Sequence, residues 1–140
     1  MIVNTAYPFM GKQKPLADPN LWGDGVVNIP YEVYSATWMS SSNVFGVNAG
    51  GWVLFTVPAR GYNKITFKIS ASSSAGGKCV ITFLTADGSE ISSITQNTTQ
   101  YQGNYTFDLP ASAKKDGIKV KFEVPRNSVH HYLRSGTLVE

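Results

Sequence analysis

The sequence predicts an all-β protein: a two-sheet antiparallel β-sandwich of the jelly-roll kind, with about eight strands and an irregular N-terminal lead-in. Two observations predict it. Short apolar or alternating segments recur from Val26 to Val139, separated by turn residues at spacings of about 8 to 12 positions. No segment of helical length repeats its apolar residues every 3.6 positions, and Ala111 to Lys115 has room for one helical turn only. The 140 residues read as one domain, with residues 1–25 as the lead-in and 26–140 as the sandwich.

The lead-in holds three prolines and three glycines, which preclude a long helix or a central strand. Tyr7, Phe9 and Trp22 give it apolar surface to bury, so it is expected to pack on the sandwich or to dock a neighbour. Val26 to Tyr34 carries apolar residues at mixed spacing. Trp52 to Val57 is a compact apolar run between Gly50-Gly51 and Pro58, which places Trp52 in the core. Asn63 to Ser70 alternates, with Ile65, Phe67 and Ile69 inward. Lys78 to Thr85 is apolar on both parities, as in a strand covered on both faces. Ala86-Asp87-Gly88-Ser89 is a turn, after which Glu90 to Thr95 returns as a hairpin partner. Tyr101 to Leu109 and Ile118 to Val124 alternate again, and Val129 to Val139 closes the fold.

Composition narrows the function classes. The net charge is +3 and its lysines are scattered, so no basic stripe for nucleic acid forms. Lys119 and Lys121 alternate with apolar residues and read as the solvated face of a strand. No apolar stretch approaches membrane-spanning length. Cys79 is the single cysteine, which rules out an intrachain disulfide; it lies in an apolar run and reads as a small core residue. The start at Met1 shows no basic segment followed by an apolar one, so no signal peptide is expected.

Catalytic motifs are missing from the pattern. There is no nucleophile elbow, no phosphate-binding glycine loop and no His-Glu-x-x-His. A glycosidase needs two carboxylates at a set separation, and of the nine here several fall on turns (Asp87, Asp116) or outward strand positions (Glu123). His130 and His131 are adjacent, so a strand points them to opposite faces and they do not share a metal.

The strand order resembles the galactose-binding-like jelly roll of many carbohydrate-binding modules. The features that carry it are Trp52-Val-Leu-Phe-Thr-Val-Pro, Tyr62-Asn-Lys-Ile-Thr-Phe-Lys-Ile, the hairpin Val80-Ile-Thr-Phe-Leu-Thr-Ala-Asp-Gly-Ser-Glu and the late strand Gly117-Ile-Lys-Val-Lys-Phe-Glu-Val. The lead-in, Met1-Ile-Val-Asn-Thr-Ala-Tyr-Pro-Phe-Met-Gly with Asp18-Pro-Asn-Leu-Trp, resembles small accessory proteins of tailed bacteriophages. The first resemblance implies glycan binding. Trp22 and Trp38 have the ring faces to stack on sugars, and Asn43, Asn48, Arg60, Gln96, Asn97, Gln100, Arg126 and Asn127 qualify by type as polar partners, with Arg60, Asn97 and Arg126 taken as the site. The other reading of Trp22 and Trp38 is that they staple the lead-in to a sheet. The same resemblance allows a structural calcium on Asp18, Asp24 and Glu140, though no dense carboxylate cluster appears. No other cofactor is expected.

The second resemblance implies a non-enzymatic virion part (tail, fibre or capsid decoration) folded in the host cytoplasm. It would dock other virion proteins or its own copies through Tyr7, Phe9 and Trp22, and touch host-surface polysaccharide. The alternative expectation is an extracellular carbohydrate-binding module of a bacterial enzyme.

Overall fold

The computed structural model describes residues 19–23 and 26–140. Ten strands and one helical turn follow in order: β1 Asn20–Gly23, β2 Val26–Val27, β3 Tyr31–Met39, β4 Val44–Val57, β5 Lys64–Ala71, β6 Gly77–Leu84, β7 Glu90–Thr98, β8 Gly103–Asp108, α1 Ala113–Asp116, β9 Ile118–Glu123 and β10 His131–Val139. All pairings are antiparallel. The pairings form two layers. The first runs β3-β4-β9-β6-β7 and the second β8-β5-β10-β1-β2. The architecture is the antiparallel β-sandwich that the alternation predicts.

One strand joins the layers. The first part of β4 pairs with β10, Phe45 opposite Leu133, and its last part pairs with β9, Trp52 opposite Glu123. The sequence between them, Asn48-Ala49-Gly50-Gly51, reads as a break, yet the chain bends there without leaving the strand. Gly51 makes the bend close. A Cβ on it would lie 2.5 Å from the Ser35 carbonyl oxygen and 2.8 Å from that of Tyr34. β3 bends with it through a register shift between Tyr34 and Ala36, where Ser35 takes φ 50°. The β3–β4 hairpin is therefore longer than the Trp52–Val57 strand expected from sequence. Pro30 splits the expected Val26–Tyr34 strand into β2 and β3.

Alternation fills the interior. Val53, Phe55 and Val57 of β4, Ile118, Val120 and Phe122 of β9, and Cys79, Ile81 and Phe83 of β6 are buried from the first sheet. Ile65, Phe67 and Ile69 of β5, Leu133 and Leu138 of β10 and Phe107 of β8 meet them from the second. The expectation that β6 is covered on both faces is corrected. Its Val80 and Leu84 stay half-buried, because no layer of the described residues covers the outer face of the first sheet, although Thr82 of the same parity is buried. Part of the lead-in is also regular, since β1 pairs with β10 and β2.

Trp22 of β1 lies between the layers, 2% exposed. Its ring stacks on Phe55 at 4.2 Å and 7°, meets Phe45 edge-on at 6.0 Å, and tilts over Phe67 at 5.6 Å. It thus contacts aromatic residues of both sheets. The ring fits because its cross-strand partner is Gly136: a Cβ there would lie 2.2 Å from the indole. Gly136→Ala is expected to lower the unfolding free energy by about 1–3 kcal/mol or more, read by urea denaturation. Combined with Trp22→Phe, it should cost less than the sum of the two single changes. Additive costs would place the strain elsewhere.

Candidate functional site

β10 changes neighbours midway. Its residues His131–Leu133 pair with β4, and Gly136–Thr137 pair with β1. Between them the register with β5 slips: Leu133 faces Ile69 and Ser135 faces Lys68, which leaves Arg134 as the extra residue of a bulge. The bulge explains the burial along the strand. His131 and Leu133 point inward before it, and Gly136 and Leu138 after it, so both Arg134 and Ser135 are left out of the core.

A cleft of about 550 Å³ opens at this junction on the outer side of the second sheet. Its cations are Lys68 and Arg134. Amides come from Asn20, Asn28, Asn43 and Gln102, and hydroxyls from Ser42, Ser135 and Thr137. The tip of the β3–β4 hairpin supplies Ser42 and Asn43, the latter with φ 58°. Asn28 is held by donating from Nδ2 to the Asn20 carbonyl at 2.9 Å.

Arg134 is held from one side. Its Nε donates to Ser70 Oγ at 3.1 Å, and its guanidinium carbon lies 5.3 Å from the centre of the Tyr132 ring. No carboxylate among the described residues pairs with Arg134 or Lys68. Asp108 of the same sheet is engaged by Lys64 at 2.7 Å.

The outer face of the first sheet offers a second arrangement. Tyr34 stacks near Trp52, with centroids 6.1 Å apart and planes at 24°. Lys121 Nζ sits 5.2 Å from the centre of the Trp52 ring and 3.8 Å from Glu123. Trp52 is half-buried there, which corrects the expectation that it is a core residue. Its parity is that of Leu54 and Thr56, opposite to the buried Val53, Phe55 and Val57. Lys119 and Lys121 do lie on this outer face, half-buried.

The other residues singled out from sequence do not converge. Trp22 is packed in the core, 2% exposed, and also borders the cleft. Trp38 is half-buried against Phe45 at 4.9 Å. Arg60 is exposed in the β4–β5 turn, where Gly61 N–H reaches the Lys114 carbonyl. Asn97 on β7 and Arg126 in the β9–β10 loop are exposed at the opposite end. Tyr7, Phe9, Asp18 and Asp24 lie outside the described residues. Glu140 is exposed, and no group of three or more metal-ligating side chains forms among the described residues.

Two buried titratable groups are structural. Cys79 is fully buried and its thiol is pushed up to about 12 by that burial, which removes it as a nucleophile at neutral pH. His131 is fully buried. Its Nδ1–H donates to the Val129 carbonyl at 2.7 Å, so its Nε2 accepts from the Thr98 hydroxyl at 2.7 Å. His130, half-buried, donates from Nδ1 to Asn48 Oδ1 at 2.9 Å, and Asn48 Nδ2 donates to Ser35 Oγ at 3.1 Å. That chain ties the start of β10 to the β3–β4 corner.

No protein-family model matches the sequence, and no curated protein matches it. Solved structures do match the fold. PfGH50B, a glycoside-hydrolase-family protein, aligns with a TM-score of 0.64 at 13% identity over 80% of this chain; the chain spans 23% of that protein's length. A point variant of CBM29-2, a family 29 carbohydrate-binding module, aligns with a TM-score of 0.63 at 10% identity, over 85% of this chain and 89% of that one. Another CBM29-2 variant, complexed with mannohexaose, gives 0.61 at 13% identity over 85% and 89%. At these identities the likeness establishes the fold, a jelly roll like that of carbohydrate-binding modules. Nothing in these three matches points to a virion part.

Burial pushes both histidines below their ordinary value, His131 against the raising effect of its bond to Val129. A histidine depressed in the folded state binds its proton more readily when unfolded. Its stabilising contribution is full above the unfolded value near 6.5 and is lost as pH falls below that toward the folded value. The urea midpoint should therefore drop between pH 7.5 and 5. His131→Gln should flatten that slope more than His130→Gln does. An unchanged slope in both would assign the acid sensitivity to other groups.

Proposed function

We propose that this chain is a non-catalytic carbohydrate-binding module that seats a glycan in the Arg134 cleft. The observation that carries the reading is the cleft itself. It is concave, set on a rigid sheet, and lined by amides, hydroxyls and two cations. Sugars present dense hydroxyls that donate and accept, and such side chains satisfy both roles. No carboxylate among the described residues lines the cleft, whereas glycoside hydrolysis requires an acid and a base. The carbohydrate-binding modules that share the fold support the same reading, including the one that holds mannohexaose. An extracellular setting, beside a catalytic partner that attacks the polysaccharide, follows from it. The virion reading rests on the lead-in, the single cysteine and the expected lack of a signal peptide, and gains no support from the shared fold.

The Tyr34–Trp52 pair favours a second reading, in which the sugar lies on the outer face of the first sheet. Tyr34 is 58% exposed and supplies a ring for stacking. Trp52 supplies less, because Tyr34 and Lys121 already lie close to its ring.

Isothermal titration against mannan, glucomannan, xylan and polygalacturonate separates the two. Thr137→Trp places a large ring in the cleft from the outward side of β10. It should weaken binding at least about tenfold, equivalent to about 1.4 kcal/mol, while Trp52→Ala changes it little. The reverse pattern would move the site to the first sheet. Absence of heat across the panel with a folded protein would overturn the function itself.

A further inference from the structure

We infer that the glycan taken by this cleft is acidic, bearing a carboxylate or sulfate group that Arg134 and Lys68 engage together. The inference rests on the cleft being the glycan site and adds the class of its ligand.

Three observations carry it. First, the bulge sets the two cations side by side on one face. Arg134 is the extra residue immediately before Ser135, and Ser135 is the register partner of Lys68. Both line the same cavity. Second, neither cation has an anionic partner among the described residues, although the same sheet pairs Lys64 with Asp108. The strands of this face carry no other carboxylate than Asp108. Two like charges held together without a counter-charge repel each other, and an anion relieves that repulsion. Third, Arg134 is oriented before any ligand arrives. Ser70 takes its Nε–H and Tyr132 lies against the guanidinium, while its terminal N–H groups have no other bond among the described residues. A guanidinium fixed in this way presents paired donors matched to a carboxylate or sulfate.

The neighbouring groups fit a sugar rather than a bare ion. Asn43, Gln102 and Thr137 line the cavity beyond the two cations and have the size and chemistry to bind ring hydroxyls. A volume of about 550 Å³ exceeds what a small anion fills and suits a short run of sugar residues.

The test is binding of the whole chain to polygalacturonate, dextran sulfate and neutral glucomannan at 0.15 M salt, followed by calorimetry and by retardation in gels containing each polymer. The acidic polymers should bind more tightly than glucomannan, and their binding should weaken as salt rises to 0.5 M. Whichever of the two acidic polymers binds names the anion. Arg134→Gln and Lys68→Gln should each weaken acidic-polymer binding by about tenfold to a hundredfold. Lys119→Gln removes the same charge from the other sheet and should change binding less than twofold. Thermal melting of each variant checks the fold, and Arg134→Lys, which keeps the charge, should recover part of the affinity.

Glucomannan bound as tightly as the acidic polymers, with Arg134→Gln and Lys68→Gln unaffected, would overturn the inference and leave the glycan-binding function standing. Equal losses in Lys119→Gln would also overturn it, since binding would then follow net charge. No binding to any polymer would overturn both.

Discussion

The sandwich depends on the packing of Trp22 over Gly136. The indole lies at the centre of the interior, stacked on Phe55 of one sheet and tilted over Phe67 of the other. Aromatic truncations at such sites cost about 3–5 kcal/mol, a large share of a small domain's stability. The ring reaches that depth only because β10 offers no side chain at position 136. Gly136 in turn reaches the inner face because the bulge at Arg134 inserts one residue and reverses the parity of the strand. Without the bulge, Ser135 would occupy the inner face and the indole would meet its side chain. Core and cleft therefore come from one irregularity: the residue that lets Trp22 in is preceded by the outward pair, Arg134 and Ser135, that lines the cleft.

A second constraint is the corner in β4. The strand serves both sheets, so the sandwich holds together through backbone hydrogen bonds as well as through its core. Gly51 permits the close turn against Ser35, and the chain from Ser35 through Asn48 to His130 fastens the bend to the start of β10. Below it His131 is fully buried, both ring nitrogens bonded. This end of β10 is fixed in position, and the register of the bulge three residues later is fixed with it. A binding cleft gains from this, because side chains held before the ligand arrives lose less entropy on binding.

Much of the fold was legible in the sequence, and the reasons are local. Ile65, Phe67 and Ile69, or Ile118, Val120 and Phe122, alternate without interruption, and each strand lies where period-2 patterning puts it. The turn at Ala86–Ser89 is set by its own residues: Thr85 N–H reaches the Ser89 carbonyl, and Thr85 bonds Asp87 through its hydroxyl. The tryptophans were legible only in part. Trp52 sits in a run that is apolar on both parities, so composition places it inside, although the parity of Val53, Phe55 and Val57 points it out. Trp22 sits among prolines and glycines, where its apolar surface predicts packing on a sheet but nothing local signals that it reaches between the two sheets. The cleft had one readable trace, the shift of inward residues from His131 and Leu133 to Gly136 and Leu138. What that shift opens depends on β10 exchanging β4 for β1, a tertiary event with no local signature.

Arg134 and Lys68, which have no carboxylate partner among the described residues, bear on why the cleft persists. A half-buried guanidinium and an ammonium in one depression gain nothing from each other, and a carboxylate at Asn104, which faces Lys68 across β8, would relieve them. The sheet supplies that remedy four residue pairs along the same ladder, where Asp108 faces Lys64. The same two strands thus neutralise one lysine and leave the other open. An exposed ion pair is worth about 0–1 kcal/mol, so stability alone does not decide between the two arrangements. The open charges are consistent with a surface whose counter-charge arrives with its ligand. The bulge that directs Arg134 outward then serves two ends at once, the depth of Trp22 in the core and the charge of the cleft above it.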